Sequence, residues 1–97
     1  MPKGYCIFHI TVRDPERYKA YIAADAPAFA KYGGRFVARG GRFEAVEGSA
    51  HTRHVVIEFD SYDAARAYYH SPEYSAAALI RRSAADADVV IIEGVAE

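Results

Sequence analysis

The stretch Lys31-Tyr32-Gly33-Gly34-Arg35-Phe36-Val37-Ala38-Arg39-Gly40-Gly41-Arg42-Phe43-Glu44 joins three pieces of structure in one short run. Gly33 supplies the left-handed residue on which a helix ends. Residues 35–39 alternate as a strand, with Arg35, Val37 and Arg39 on one parity and Phe36 and Ala38 on the other. Gly40-Gly41 provides the positive φ angles of a tight hairpin, which predicts a second short strand over residues 42–46.

Upstream, residues 3–12 alternate with aromatic and β-branched side chains, the pattern of a first strand. Asp14-Pro15-Glu16 then reads as a helix start. Asp14 accepts from the first free amides, Pro15 stands where no donor is needed, and Glu16 suits the positive helix end. The helix carries Tyr18, Tyr21, Ile22, Asp25, Phe29 and Tyr32 at three- and four-residue spacing, and Pro27 is expected to kink or interrupt it. Downstream, residues 47–52 form a polar loop and residues 54–59 another strand. Ser61 caps a second helix, with Asp63 in its first turn. Ser71-Pro72-Glu73 repeats the start signal for a further helix to about residue 85. A last strand covers 88–93 and a tail 95–97. The order is an α+β, ferredoxin-like βαββαβ plan with an extra hairpin, its helices on one face of an antiparallel sheet.

A chain of 97 residues, 52% of them hydrophobic, makes a single globular domain spanning 1–97. A net charge of −1 and a pI near 6.4 argue against a nucleic-acid partner. The lone Cys6 excludes an internal disulfide framework and falls among apolar neighbours as an inert core thiol. No stretch is long enough to span a bilayer, and residues 5–12 are too short and too polar for a signal peptide. The expectation is a soluble, cytoplasmic protein without a membrane partner.

Strand parity sorts side chains into two sheet faces. One set is apolar: Cys6, Phe8, Ile10, Val12, Phe36, Ala38, Val55, Ile57, Phe59, Val90 and Ile92. It is expected beneath the helices. The other mixes aliphatic and ionisable residues: Tyr5, Ile7, His9, Thr11, Arg35, Val37, Arg39, His54, Val56, Glu58, Val89, Ile91 and Glu93. Helices on the first face leave this second face uncovered, and an apolar patch of that kind marks an interface. The expectation is a homodimer packed sheet to sheet, with its ionisable residues lining a cavity between or beside the two sheets. All these assignments invert if the register slips by one residue.

Tyr32-Gly33-Gly34-Arg35-Phe36, Arg39-Gly40-Gly41, Val55-Val56-Ile57-Glu58-Phe59 with Ser61-Tyr62, Ser71-Pro72-Glu73-Tyr74 and Glu93-Gly94 together resemble one bacterial family, that of domain of unknown function 1330. The resemblance covers essentially the whole chain and implies a ferredoxin-like protomer of the dimeric α+β-barrel superfamily. It also implies that Asp25, Arg39, Glu58, Tyr69, Ser71, Tyr74 and Glu93 are the characteristic polar positions. Cys6 departs from the tryptophan common there, and His9 occupies a variable strand position.

Two functions follow as expectations. The first is a small-molecule-binding or catalytic dimer that takes an aromatic or carboxylated compound. Glu58, His54 and Arg39 are its candidates for chemistry, and Tyr5, His9, Asp25, Arg39, Tyr69, Ser71, Tyr74 and Glu93 its candidates for binding. Glu58 or a histidine would move a proton while Arg39 stabilises negative charge. The alternative is a non-enzymatic dimer whose polar cluster is a buried ion-pair network, with Arg39 against Glu58 or Glu93. Neither invokes a metal or a cofactor. His54 and Glu58 stand roughly 13 Å apart end to end on one strand and cannot share an ion, and His9 can pair with one of them but not both. Tyr21 and Asp25 share a helix face within reach of the cavity mouth, and Asp25, before Pro27, is equally read as a local partner of the helix bend. Ser71 is most simply a helix cap, Tyr69 and Tyr74 core residues with wet hydroxyls, and Arg81-Arg82 a solvated helix face.

Overall fold

The computed structural model describes residues 2–48 and 51–96. Its elements run β1 (Gly4–Val12), α1 (Pro15–Lys31), β2 (Arg35–Arg39), β3 (Arg53–Phe59), α2 (Tyr62–Tyr69), α3 (Pro72–Ala84) and β4 (Ala85–Glu93). The four strands form one antiparallel sheet in the order β2-β3-β1-β4. This is the ferredoxin-like arrangement expected, with one correction. Residues 42–46 form no strand, and β2 pairs directly with β3. Only Gly40 of the glycine pair has a positive φ, 64°, whereas a tight hairpin of the expected kind needs it at both central residues. Of the polar loop over 47–52, Ser49 and Ala50 lie outside the described residues, as does Glu97 of the tail.

The helix caps are those the sequence signals. Asp14, Ser61 and Ser71 accept from the backbone amides of Arg17, Ala64 and Tyr74. At the end of α1 the amide of Gly33 (φ 73°) donates to Ala30 and that of Gly34 to Phe29, the paired C-terminal motif that left-handed glycine allows. The helix runs through Pro27 without interruption. Pro27 is exposed, so the carbonyl one turn back that it deprives of a donor sits on the side open to water.

Tyr18, Tyr21, Asp25 and Ala28 form the buried stripe of α1. They face Phe8, Ile10, Val55 and Ile57 from the sheet, while Tyr68 and Tyr74 complete the core from α2 and α3.

Two sheet assignments are corrected by register. Cys6 pairs with Ile91, Phe8 with Val89 and Ile10 with Ala87, so Val89 and Ile91 face the helices while Val90 and Ile92 face outward, about half exposed. In β2, Phe36 pairs with Ile57, but a bulge then sets Ala38 opposite Val56 and Arg39 opposite Val55. The bulge moves Arg39 to the helix side and Ala38 to the outer side, because the extra residue flips the pleat.

Candidate functional site

The two faces carry two different polar arrangements. On the outer face every named carboxylate is met. Glu58 accepts from Arg35 Nε at 3.0 Å and from the Tyr5 hydroxyl at 3.2 Å, and Arg35 also reaches Asp60 at 3.3 Å. His9 and His54 share a hydrogen bond between their Nδ1 atoms, 2.8 Å apart, with the Phe43 ring edge-on to His54. His51 bridges Thr11 at 2.9 Å and Asp88 at 2.8 Å. Of the residues expected around a cavity on this face, Glu58, His54 and His9 lie on it, whereas the bulge carries Arg39 to the helix side. The guanidinium on Glu58 is that of Arg35, and Glu93, opposite Gly4 at the exposed end of β4, is on the helix-side parity.

A cavity of about 220 Å³ lies on the other side of the sheet, beneath α1. Phe8 and Ile10 of β1, Val55 and Ile57 of β3, and Tyr18, Tyr21, Ile22 and Phe29 of α1 give it apolar walls. Phe29 stacks on Phe36 at 4.5 Å between centroids. It is placed there by the turn that ends α1, where a side chain at Gly34 would stand 2.8 Å from the Phe29 ring.

Three charged residues line this cavity: Arg39, Arg53 and Asp25. Arg39 reaches it through the bulge, and its guanidinium lies over the Phe36 ring at 4.3 Å. Arg53, on the same parity as Val55 and Ile57, lies over Tyr18 at 5.7 Å, and its buried Nε has no hydrogen-bond partner among the described residues. A side chain at Gly40 would meet the Arg53 guanidinium at 2.5 Å. Neither arginine forms an ion pair among the described residues.

Asp25 is 9% exposed, and its Oδ1 accepts from the Tyr68 hydroxyl at 2.6 Å. Burial pushes its carboxyl above the usual carboxylate range, outweighing the opposing pull of that hydrogen bond and of the Arg81 charge. Behind it, Arg81 donates to Tyr74 at 2.8 Å, and the Tyr74 and Tyr21 hydroxyls are 3.0 Å apart. Burial drives the Tyr21, Tyr68 and Tyr74 phenols upward, so all three remain protonated donors near neutrality. Arg81 is thus buried, which corrects its reading as a solvated face, while Arg82 is exposed. Cys6 is a buried core thiol, pushed up to about 12 by burial.

Of the predicted binding residues, Asp25 and Arg39 meet at the cavity and Tyr74 sits in the network behind it. Ser71 caps α3 and donates to the Tyr68 carbonyl at 2.7 Å. Tyr69 is half-buried and packs on Tyr74. Tyr5, His9, His54 and Glu58 belong to the outer face. Arg53 and Arg81 were not foreseen, yet both were signalled. Arg53 continues the inward parity of 55, 57 and 59, and Arg81 follows Tyr74, Ala77 and Ala78 on the buried stripe of α3. Among the described residues no group of three His, Cys, Asp or Glu could hold a metal ion, and no helix is long and apolar enough to cross a membrane.

An antiparallel four-stranded sheet with three helices on one face and a cavity beneath α1 defines an α+β, ferredoxin-like protein. The chain belongs to the DUF1330 family, a domain of unknown function, matched over residues 3–95. Among curated proteins none matches it. Solved structures share the fold at low identity. RPA0582, a protein of unknown function from Rhodopseudomonas palustris, is 19% identical with a TM-score of 0.78, over 99% of this chain and 85% of that one. SnoaB, a cofactor-independent oxygenase from Streptomyces nogalater, is 19% identical with a TM-score of 0.67, over 100% and 97%. A dimeric ferredoxin-like protein of unknown function from Thermobifida fusca is 20% identical with a TM-score of 0.57, over 95% and 91%.

Proposed function

We propose that this protein is a homodimer, paired through the outer sheet face, that binds a small aromatic carboxylate in the cavity between α1 and the sheet. The observation that carries the ligand reading is the pair of guanidiniums, Arg39 and Arg53, without carboxylate partners among the described residues, on an aromatic-walled cavity. A guanidinium beside apolar walls is a fork for a carboxylate, and the walls take the ring. The space is adequate: an engineered apolar cavity of about 150 Å³ binds benzene, and this one is about 220 Å³. No metal is invoked in holding the ligand. The dimer reading is supported by exposed Val90 and Ile92 beside Ile7 and Val56 on the outer face, and by the Thermobifida fusca relative being described as dimeric. SnoaB is named an oxygenase, and a shared fold alone carries no reaction across.

The structural alternative keeps a place on the outer face, where Arg35, Glu58, Asp60 and Tyr5 form a closed network suited to fixing sheet register. Titration with phenylacetate and with phenylacetamide, followed by NMR, separates the two readings at the cavity. Phenylacetate should bind, the neutral amide should bind far more weakly, and Arg39→Ala or Arg53→Ala should each weaken phenylacetate roughly tenfold to hundredfold. Equal binding of acid and amide, or no binding of either, overturns the ligand reading.

A further inference from the structure

We infer that the cavity catalyses proton transfer at a carbon next to a carbonyl, with Asp25 as the base and an aryl α-keto acid as the substrate class. This rests on the proposed binding of an aromatic carboxylate in the same cavity. The arrangement is graded in depth. Arg39 is exposed and Arg53 half-buried, whereas Asp25 is 9% exposed and lines the interior. One carboxylate oxygen of Asp25 is held by Tyr68, and the other makes no hydrogen bond among the described residues. A molecule that presents a carboxylate, then a carbonyl, then an acidic CH₂, then a ring matches that order from mouth to wall. The guanidiniums that hold the carboxylate lie beside the adjacent carbonyl oxygen, where negative charge develops.

The step balances without a co-reactant. The Asp25 carboxylate takes a proton from the CH₂, and the C–H electron pair becomes a carbon–carbon double bond. The carbonyl π pair moves to oxygen as an enolate. Return of the proton to oxygen gives the enol, and its return to carbon regenerates the ketone. The groups facing Asp25 are Tyr68 from α2, Tyr74 and Arg81 from α3, Cys6 from β1 and Tyr21 on its own helix. None of these is a carboxylate competing for the proton. Burial strengthens Asp25 as a base by raising its proton affinity.

The test is deuterium exchange at the CH₂ of phenylpyruvate in D₂O, read by proton NMR, with binding measured in the same samples. The wild type should accelerate exchange about a hundredfold or more over buffer, and Asp25→Asn should abolish the acceleration while still binding phenylpyruvate. Asn can keep the Tyr68 hydrogen bond, and a thermal melt checks the fold. Tyr68→Phe supplies a second readout. Loss of a donor to the carboxylate should move the acid limb of the rate profile to higher pH, which a merely structural role would not do. Binding without accelerated exchange overturns the inference and leaves the binding reading standing. So does acceleration that survives Asp25→Asn. Failure of phenylpyruvate to bind overturns it as well, and the binding reading then stands or falls on phenylacetate.

Discussion

Replacing Val90 and Ile92 together by alanine tests the proposed dimer where the register places its apolar contacts. Val90 is 51% exposed and Ile92 50%. Full burial of such a side chain is worth about 1.5–3 kcal/mol, so each has roughly 1 kcal/mol still to gain from a partner surface. In a twofold dimer each residue appears twice, which brings the apolar contribution of the pair to about 4 kcal/mol. Alanine retains part of it, so the double variant should lose about 3 kcal/mol, roughly a hundredfold in dimer Kd. Sedimentation velocity over a dilution series reads this directly. Leu79→Ala is the control, because Leu79 is 67% exposed but lies on α3, away from the outer face. A monomeric wild type at micromolar concentration, or a double variant that dissociates like the wild type, refutes the sheet-to-sheet dimer. Weakening of equal size by Leu79→Ala refutes the choice of face.

Two further predictions concern stability. Asp25 titrates at higher pH in the fold than in the unfolded chain, because burial disfavours its charged form. Below about pH 3 both states hold the proton, and Asp25→Asn should match the wild type. As pH rises the unfolded chain ionises first, so the wild type loses stability relative to the variant until the folded carboxyl has also ionised. Thermal melts across a pH series should show that widening gap, and a gap independent of pH would show that Asp25 is not held as described. Gly4→Ala should cost roughly 3 kcal/mol in urea unfolding. Its Cβ would stand 2.2 Å from the Ser61 carbonyl oxygen and 2.6 Å from the Tyr62 Cα, both backbone with no rotamer to yield. A loss within about 0.5 kcal/mol would mean the start of α2 shifts freely.

The elements were legible because their boundaries are written in local chemistry. Asp14-Pro15, Ser61 and Ser71-Pro72 cap their helices, and Gly33 ends α1, as their side chains require. The ferredoxin-like order follows from that punctuation. The sheet faces were legible only where polar and apolar residues alternate. Residues 89–92 are all apolar, so alternation has no phase there. Beginning the strand at Ala85 would have supplied one, since Asp86 and Asp88 share the parity of Val90 and Ile92. Phe36-Val37-Ala38 hides its bulge for the same reason, and the bulge decides that Arg39 joins the cavity while Arg35 does not. Helix spacing put Tyr21 and Asp25 on one face of α1, which is its buried stripe, but gave no sign that this face borders a cavity beneath the helix.

Charge balance separates the two faces more sharply than composition. Outside, Glu58 and Asp60 share Arg35, Asp86 has Arg13 and Asp88 has His51. Each of these carboxylates has a hydrogen-bonding partner within the chain. Inside the cavity the pairing is left open. Arg39 and Arg53 lie against aromatic rings rather than carboxylates, and Asp25 leans on a phenol rather than a cation. Unmatched charge is costly in proportion to its burial. Asp25 lines the cavity from α1, and Arg39 and Arg53 line it from β2 and β3. A ligand that brings its own carboxylate to the arginines relieves the cations without neutralising Asp25. That leaves a buried carboxyl facing the remainder of the bound molecule, the position from which it can act as a base.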